Sequence, residues 1–223
     1  GDDRYLNNIF TQRGPDWAEK KLGDCMESIS TGPFGSLLHK SDYIRNGIPL
    51  INPANIVNYE IIPNTQKTVS SDTLKRLSNY KVQSGDVIVA RRGEIGRCAV
   101  VGKEQDGWLC GTGSFHLTAN ESLLPDFAVT LLRSEKIRSN LVVKATGATV
   151  KNISNRALAD LNISVPDICQ QQEILMELDK LEEHTQQLEA LYTKKLESLK
   201  ELKQSLLQQA FAGELTSTKL SAG

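Results

Sequence analysis

The stretch QQQEILMELDKLEEHTQQLEALYTKKLESLKELKQSLLQQAF, residues 170–211, decides the architecture of this chain. It runs for 42 residues without Pro or Gly and consists almost wholly of strong helix formers. One continuous helix is expected, on the order of 60 Å long at ~1.5 Å per residue. Stepping alternately by four and three picks out Ile174, Leu178, Leu181, Thr185, Leu188, Tyr192, Lys195, Leu199, Leu202, Leu206 and Gln209. Eight of these eleven are apolar, a coiled-coil seam interrupted by Thr185, Lys195 and Gln209. Polar interruptions of that kind fix register and partner at some cost in stability. Leu175, Leu191, Leu196, Leu207 and Ala210 flank the seam and widen the apolar face toward more than one neighbour. A helix this long outreaches a domain of this size, so a second long helix is the expected mate, from another chain or from a missing part of this one. The alternative is a solvated helix packed on its own domain.

Working outward, the 223 residues leave room for one ordinary globular domain besides the helix. The expected division is a tail at 1–16, a domain at 17–166, the helix at 167–212 and a tail at 213–223. With 39% hydrophobic and 24% charged residues the composition is that of a soluble protein. No run is apolar enough to span a bilayer and no signal-peptide pattern is present, so no membrane is expected and the cytoplasm is the default compartment. The chain opens GDDRYLNNIF without Met, as expected of a processed or excised polypeptide.

The domain shows short strands and helices without regular βαβ alternation, which argues α+β. Residues 17–29 enter as a short strand or turn, and 30–36 (STGPFGS) form a loop, with Ser36, His39 and Lys40 as polar groups that follow it. IPLI (48–51) and Ile56-Val57 read as strands, and Ser70 or Ser71 caps a brief helix. In SGDVIVARRGEIGRCAVV (84–101), Val87–Ala90 is expected as a buried strand with 98–101 as its antiparallel partner. The connection carries Arg91, Arg92 and Arg97 among glycines that let the backbone turn sharply. Arginine suits bidentate contact to guanine edges or phosphate, while a solvated hairpin with an Arg–Glu94 pair is the plainer reading. WLCGTGSFHL (108–117) suggests a strand pair around Gly111-Thr112-Gly113, and residues 125–141 one helix. The polar segment TGATVKNI (146–153) precedes a helix capped by Ser154 or Asn155, and Asn162–Val165 is the last strand.

Net charge is −1, but two stretches are locally basic. Residues 61–100 carry a net +4 that includes Lys67, and 133–156 a net +5 that includes Lys151. Such clusters suit a phosphate-binding face as well as ordinary surface. Cys25, Cys98, Cys110 and Cys169 lack CxxC spacing, and buried reduced thiols are expected rather than a zinc site from Cys98, Cys110 and His116. There is no P-loop, nucleophile elbow, metalloprotease helix or complete methyltransferase motif. The residues point to a binder, with no catalytic residue, metal or cofactor.

GPFGSLL (32–38), SGDVIVARRGEIGR (84–97), GTGSF (111–115), TGATVKNISNRALADLNISVPDICQQQEI (146–174) and LLQQAFAGEL (206–215) follow one another in an order that resembles the specificity subunit of type I restriction-modification enzymes. The resemblance implies a non-catalytic reader of double-stranded DNA. It implies one target-recognition domain with its following helix, half of a subunit whose two long helices pair antiparallel and space two reading domains. It also implies partners: a modification (methyltransferase) subunit on the helices and, in some assemblies, a restriction subunit. On that reading Ser36, Lys40, Lys67, Arg91, Arg92, Arg97 and Lys151 face DNA, and Ile174, Leu178, Leu181, Leu188, Tyr192, Leu199, Leu202 and Leu206 face a second copy or second half. A coiled-coil adaptor whose globular part binds protein is the alternative.

Overall fold

The computed structural model describes Phe10 and residues 16–145 and 152–212. The expectations for the tail at 1–16 (Phe10 and Asp16 apart), for the polar loop at 146–151 with Lys151, and for the tail at 213–223 lie outside those residues. The chain divides into two units, Gly1–Leu175 and Met176–Gly223.

In the first unit the elements are β1 (Ala18–Lys21), β2 (Met26–Thr31), β3 (Tyr43–Ile44), β4 (Ile48–Ile51), β5 (Ile56–Val57), β6 (Glu60–Ile61), β7 (Thr68–Val69) and α1 (Ser71–Arg76). There follow β8 (Val87–Ala90), β9 (Cys98–Val100), β10 (Leu109–Cys110), β11 (Ser114–Ala119), α2 (Pro125–Arg133), α3 (Glu135–Lys144), α4 (Asn155–Ala159) and β12 (Asn162–Val165). The long helix α5 spans Ile168–Phe211 as one uninterrupted element, as its composition requires. The fold is the mixed α+β kind expected, with a long C-terminal helix.

Two four-stranded sheets build the domain, in the orders β2-β11-β8-β9 and β10-β4-β7-β3, beside the small pairs β1-β12 and β5-β6. Strand β8 explains why VIVA is an unbroken apolar run. Val87 and Val89 enter one core with Phe115, Phe127 and Cys98, while Ile88 enters a second with Ile51, Ile56, Ile61 and Ala99. A strand buried on both faces has no polar face to offer. Leu50, Val69, Leu77 and Leu109 form a third cluster on the far side of β4. Each fully buried Phe or Ile contributes about 1.5–3 kcal/mol relative to exposure.

Three expectations need correction. Cys110 and Ser114 do not belong to a hairpin: β10 pairs parallel with β4, whereas β11 pairs antiparallel with β2 and β8. Gly111–Gly113 is therefore a crossing between sheets, fixed where the Gly111 N–H donates to the Ile51 carbonyl (3.0 Å) and the Ser114 hydroxyl donates to the same oxygen (3.0 Å). The helix expected over 125–141 is two helices. Ser134 is extended (ψ 141°) and its buried hydroxyl donates to the Leu131 carbonyl at 2.7 Å, ending α2 and opening α3. Of the cysteines, Cys25, Cys98 and Cys110 are buried, but Cys169 is exposed on the first turn of α5.

The start of α5 is tied to the domain by Gln171, which is 0% exposed. Its amide nitrogen donates to the carbonyls of Ser122 and Pro166 (2.9 Å each), and its oxygen accepts from the Leu124 N–H (2.9 Å). Ile174 and Leu175 pack against the first core beside it. Replacing Gln171 by Leu leaves one buried and two partly buried backbone groups without these partners, at a cost of up to about 1–3 kcal/mol each before relaxation. Urea denaturation of Gln171→Leu should give an unfolding free energy about 3 kcal/mol or more below wild type.

Candidate nucleic-acid interface

The junction between the two four-stranded sheets brings separate loops together. The loop after β2 meets the β10–β11 crossing at Gly32, where an added Cβ would lie 2.1 Å from the Gly111 carbonyl oxygen. Only a residue without Cβ fits that approach. The Thr112 hydroxyl then donates to the Pro33 carbonyl at 2.7 Å. An added Cβ on Gly111 would meet Asn52 Oδ1 at 2.2 Å, and one on Gly113 would meet Pro53 Cδ at 2.9 Å and Arg92 Nε at 3.0 Å. The ends of β2, β4, β8 and β10 thus place loop 32–37, turn 52–55, Arg92 and Thr112 side by side.

Beside this junction lies a cleft of about 960 Å³ whose lining includes Lys40, Tyr43, Asn52, Gln66 and Lys67. It unites two of the lysines singled out in the sequence, which stand 27 positions apart. Tyr43 is partly buried, which raises its hydroxyl above the usual range; the neighbouring Asp42 adds to this and the charge of Arg92 opposes it. Across the β5–β6 hairpin a second cleft of about 490 Å³ is lined by Arg97, Arg138, Glu94 and Val142. Val57 lines both clefts.

The three loop arginines have different surroundings. Arg91 is half-buried: its Nε donates to Asn152 Oδ1 (3.0 Å), and its guanidinium lies 5.5 Å from the centre of the Phe115 ring. Burial, with Arg92 beside it, draws its pKa downward. Arg92 is exposed at the junction. Arg97 forms an ion pair with Glu94 and donates to the Ile56 carbonyl (3.3 Å), the plainer of the two sequence readings for that side chain. Ser36, Lys40 and Lys67 are exposed. Ser36 and Arg92 belong to the junction, Lys40 and Lys67 to the first cleft, and Arg97 to the second. Residues that the sequence did not mark as contacts join them: Gln66, Arg138, Phe34 of the 30–36 loop, and Asn52, whose Asn52-Pro53-Ala54-Asn55 run is an incomplete methyltransferase-like motif. The polar run Asn64-Thr65-Gln66-Lys67 after Pro63 could at most have marked a surface loop and did not single out Gln66; Arg138 gave no signal beyond its basic segment. Arg133, in that same segment, stacks its guanidinium 3.5 Å from the centre of the Tyr59 ring and braces the hairpin.

The histidine and thiols considered for zinc serve the core. His116 Nε2 lies 2.6 Å from Asp86 Oδ2, the Thr118 hydroxyl donates to Oδ1 (2.9 Å), and the Gln83 N–H donates to Oδ2 (2.6 Å). Burial pushes the Cys98 and Cys110 thiols up to about 12, and these two residues belong to different cores. Among the described residues no group of His, Cys, Asp and Glu could hold a metal ion.

Residues 15–200 match the family model described as the type I restriction modification DNA specificity domain. The chain belongs to this family. It is 25% identical over 211 residues to the type I restriction enzyme EcoBI specificity subunit of Escherichia coli, covering 95% of this chain and 44% of that protein. To the EcoKI specificity subunit of Escherichia coli strain K12 it is 24% identical over 204 residues, covering 88% and 43%. The chain therefore spans less than half the length of these curated relatives. Among solved structures, the HsdS subunit of Thermoanaerobacter tengcongensis aligns with a TM-score of 0.64 at 19% identity, covering 95% of this chain and 51% of that one. A chain from a structure of type I restriction-modification complex assembly aligns at 0.68 with 20% identity, covering 94% and 50%. The fold of this specificity-domain chain is thus that of specificity subunits. Among its described residues no helix is long and apolar enough to cross a membrane.

The buried carboxylate of Asp86 supplies a test of this scaffold. Burial raises its pKa, but the bonds from His116, Gln83 and Thr118 outweigh that and hold it below the ordinary aspartate value. A depressed pKa stabilises the fold above the unfolded value, about 3.9, and this contribution disappears as pH falls through the folded value. Asp86→Asn should therefore be less stable than wild type at pH 6 to 7. Its unfolding free energy should also fall less steeply than that of wild type below about pH 4, measured by urea titration at a series of pH values.

Proposed function

We propose that this chain is a DNA-reading module of a type I restriction-modification specificity subunit, with the domain at 17–166 as reader and the helix at 167–212 as spacer and scaffold. The observation that carries the reading is the convergence of loops 32–37, 52–55, 91–92 and 111–113 beside the cleft holding Lys40 and Lys67. Strand ends that meet at one junction place exposed polar and cationic side chains on a braced backbone, which is what direct contact with base edges requires. In this reading Arg92, Gln66 and Asn52 make base contacts, because arginine matches guanine and amide side chains match adenine in the major groove. Lys40 and Lys67, with Ser36 and Lys151, bind the phosphates of that duplex, and Arg97 and Arg138 serve the flanking backbone. Arg91 acts through Asn152 and Phe115 as a support for the loop. The module reads one half of a split target and leaves methyl transfer to the modification subunit; a restriction subunit joins the larger assembly.

The helix supplies the scaffold. Leu188, Leu191, Tyr192, Leu196, Leu199, Leu202 and Leu206 are all exposed, an apolar stripe that a second long helix would cover. Residues 168–189 carry six acidic side chains against Lys180, and 190–211 carry four lysines against two glutamates. Antiparallel pairing sets the acidic half of one such helix against the basic half of the other, so the mate is a second copy or the second half of a longer subunit. Two readers on a rigid spacer gain from bivalent binding only where the DNA spacing matches. Family membership favours this role over that of a protein adaptor.

Two experiments test it. Co-purified with its cognate modification subunit, the chain should enrich a defined motif from a random duplex library. Arg92→Ala should relax the preference at one position at a cost of about 1–3 kcal/mol. Lys40→Ala and Lys67→Ala should weaken all sequences alike and each reduce the slope of log affinity against log salt by about 1. A stable complex with no enriched motif would leave only the scaffold role. Independently, Leu199→Glu and Leu188→Glu should change the mass in solution measured by light scattering, and an unchanged mass would remove the seam from self-pairing.

A further inference from the structure

Phe34 stands at the tip of the loop after β2 with 59% of its surface exposed. A single exposed apolar side chain is ordinary in itself. Here the backbone beneath the ring is braced on every side. Gly32 sits against the Gly111 carbonyl, and Thr112 holds the Pro33 carbonyl. The Leu37 N–H donates to the Phe34 carbonyl (3.3 Å), and the Arg76 guanidinium donates to the Leu37 carbonyl (2.7 Å) and to Asp42 (2.8 Å). Gly35 follows with φ +62° and open space around it, so the tip turns sharply without crowding the ring. The loop thus holds an exposed aromatic ring on a braced backbone, with Arg92 at the adjoining crossing and Lys40 six residues further along the same segment.

We infer that Phe34 is a wedge that enters a base step of the recognised duplex and opens the stack there. The inference rests on the DNA-reading role proposed above. Apolar side chains inserted between bases unstack them, and the bases offer a π-face to an aromatic ring while the neighbouring cations take the phosphates. A ring on a mobile loop would lose much of this gain to ordering, and the bracing avoids that loss. Local opening also makes the module sensitive to steps that unstack readily, at a position where no hydrogen bond reads the base.

The test uses the complex of the chain with its modification subunit and duplexes of its enriched motif carrying 2-aminopurine at one position after another. At saturating protein, wild type should raise 2-aminopurine fluorescence at a step that Phe34→Ala leaves quenched. Phe34→Ala should also bind roughly tenfold more weakly, with an unchanged salt slope, and Phe34→Trp should restore both. Arg92→Ala should weaken binding yet keep the fluorescence rise at saturation. If the fluorescence pattern of Phe34→Ala equals that of wild type at every position, the wedge is overturned while the reading role stands. If the wild-type complex binds no duplex preferentially, the reading role falls and the wedge falls with it.

Discussion

Everything on the candidate interface depends on two backbones touching at Gly32 and Gly111. No side chain fits between them, so the loop after β2 and the crossing from β10 to β11 have one relative position. From that contact the other placements follow: Thr112 reaches Pro33, Gly113 leaves room for Arg92, and Asn52 closes over Gly111. Main-chain approach is a stiffer reference than any side-chain pair, because it has no rotamers to explore. The exposed groups of the junction inherit that stiffness.

The two-faced burial of β8 gives the contact its footing. Its valines and Ile88 join two cores, so movement of this strand disturbs both at once, and close-packed interiors resist such movement. Arg91 and Arg92 are the first residues beyond that strand, which is why one turns back toward Phe115 and Asn152 while the other emerges at the junction. Two adjacent arginines of equal promise by composition acquire different duties from the alternation of a strand.

The long helix was legible because its signal is local: helix formers without a break and apolar residues at regular steps. The buried strand VIVA and the caps at Ser70 and Ser154 were legible for the same reason. What escaped was non-local. GTG between two apolar runs has the look of a hairpin turn, and only the hydrogen bonds to Ile51 from across the domain make it a crossing. Ser134 sits in a run with helical periodicity, and its buried hydroxyl, invisible in the pattern, splits the helix. For the candidate interface, arginine content singled out the 91–97 loop but could not distinguish the paired Arg97 from the exposed Arg92. Gln66 and Arg138 entered only through clefts built by segments distant in sequence.

The anchor at Gln171 has a consequence for how the two parts of the molecule respond to ionic strength. Its three bonds are made by an uncharged amide sealed from water, so dissolved ions neither screen nor compete for them. Lys40, Lys67 and Arg92, by contrast, are open to counterions. Salt concentrated enough to screen those exposed cations leaves the root of α5 seated in its domain, so the electrostatics of the exposed face and the seating of the helix root are under separate chemical control.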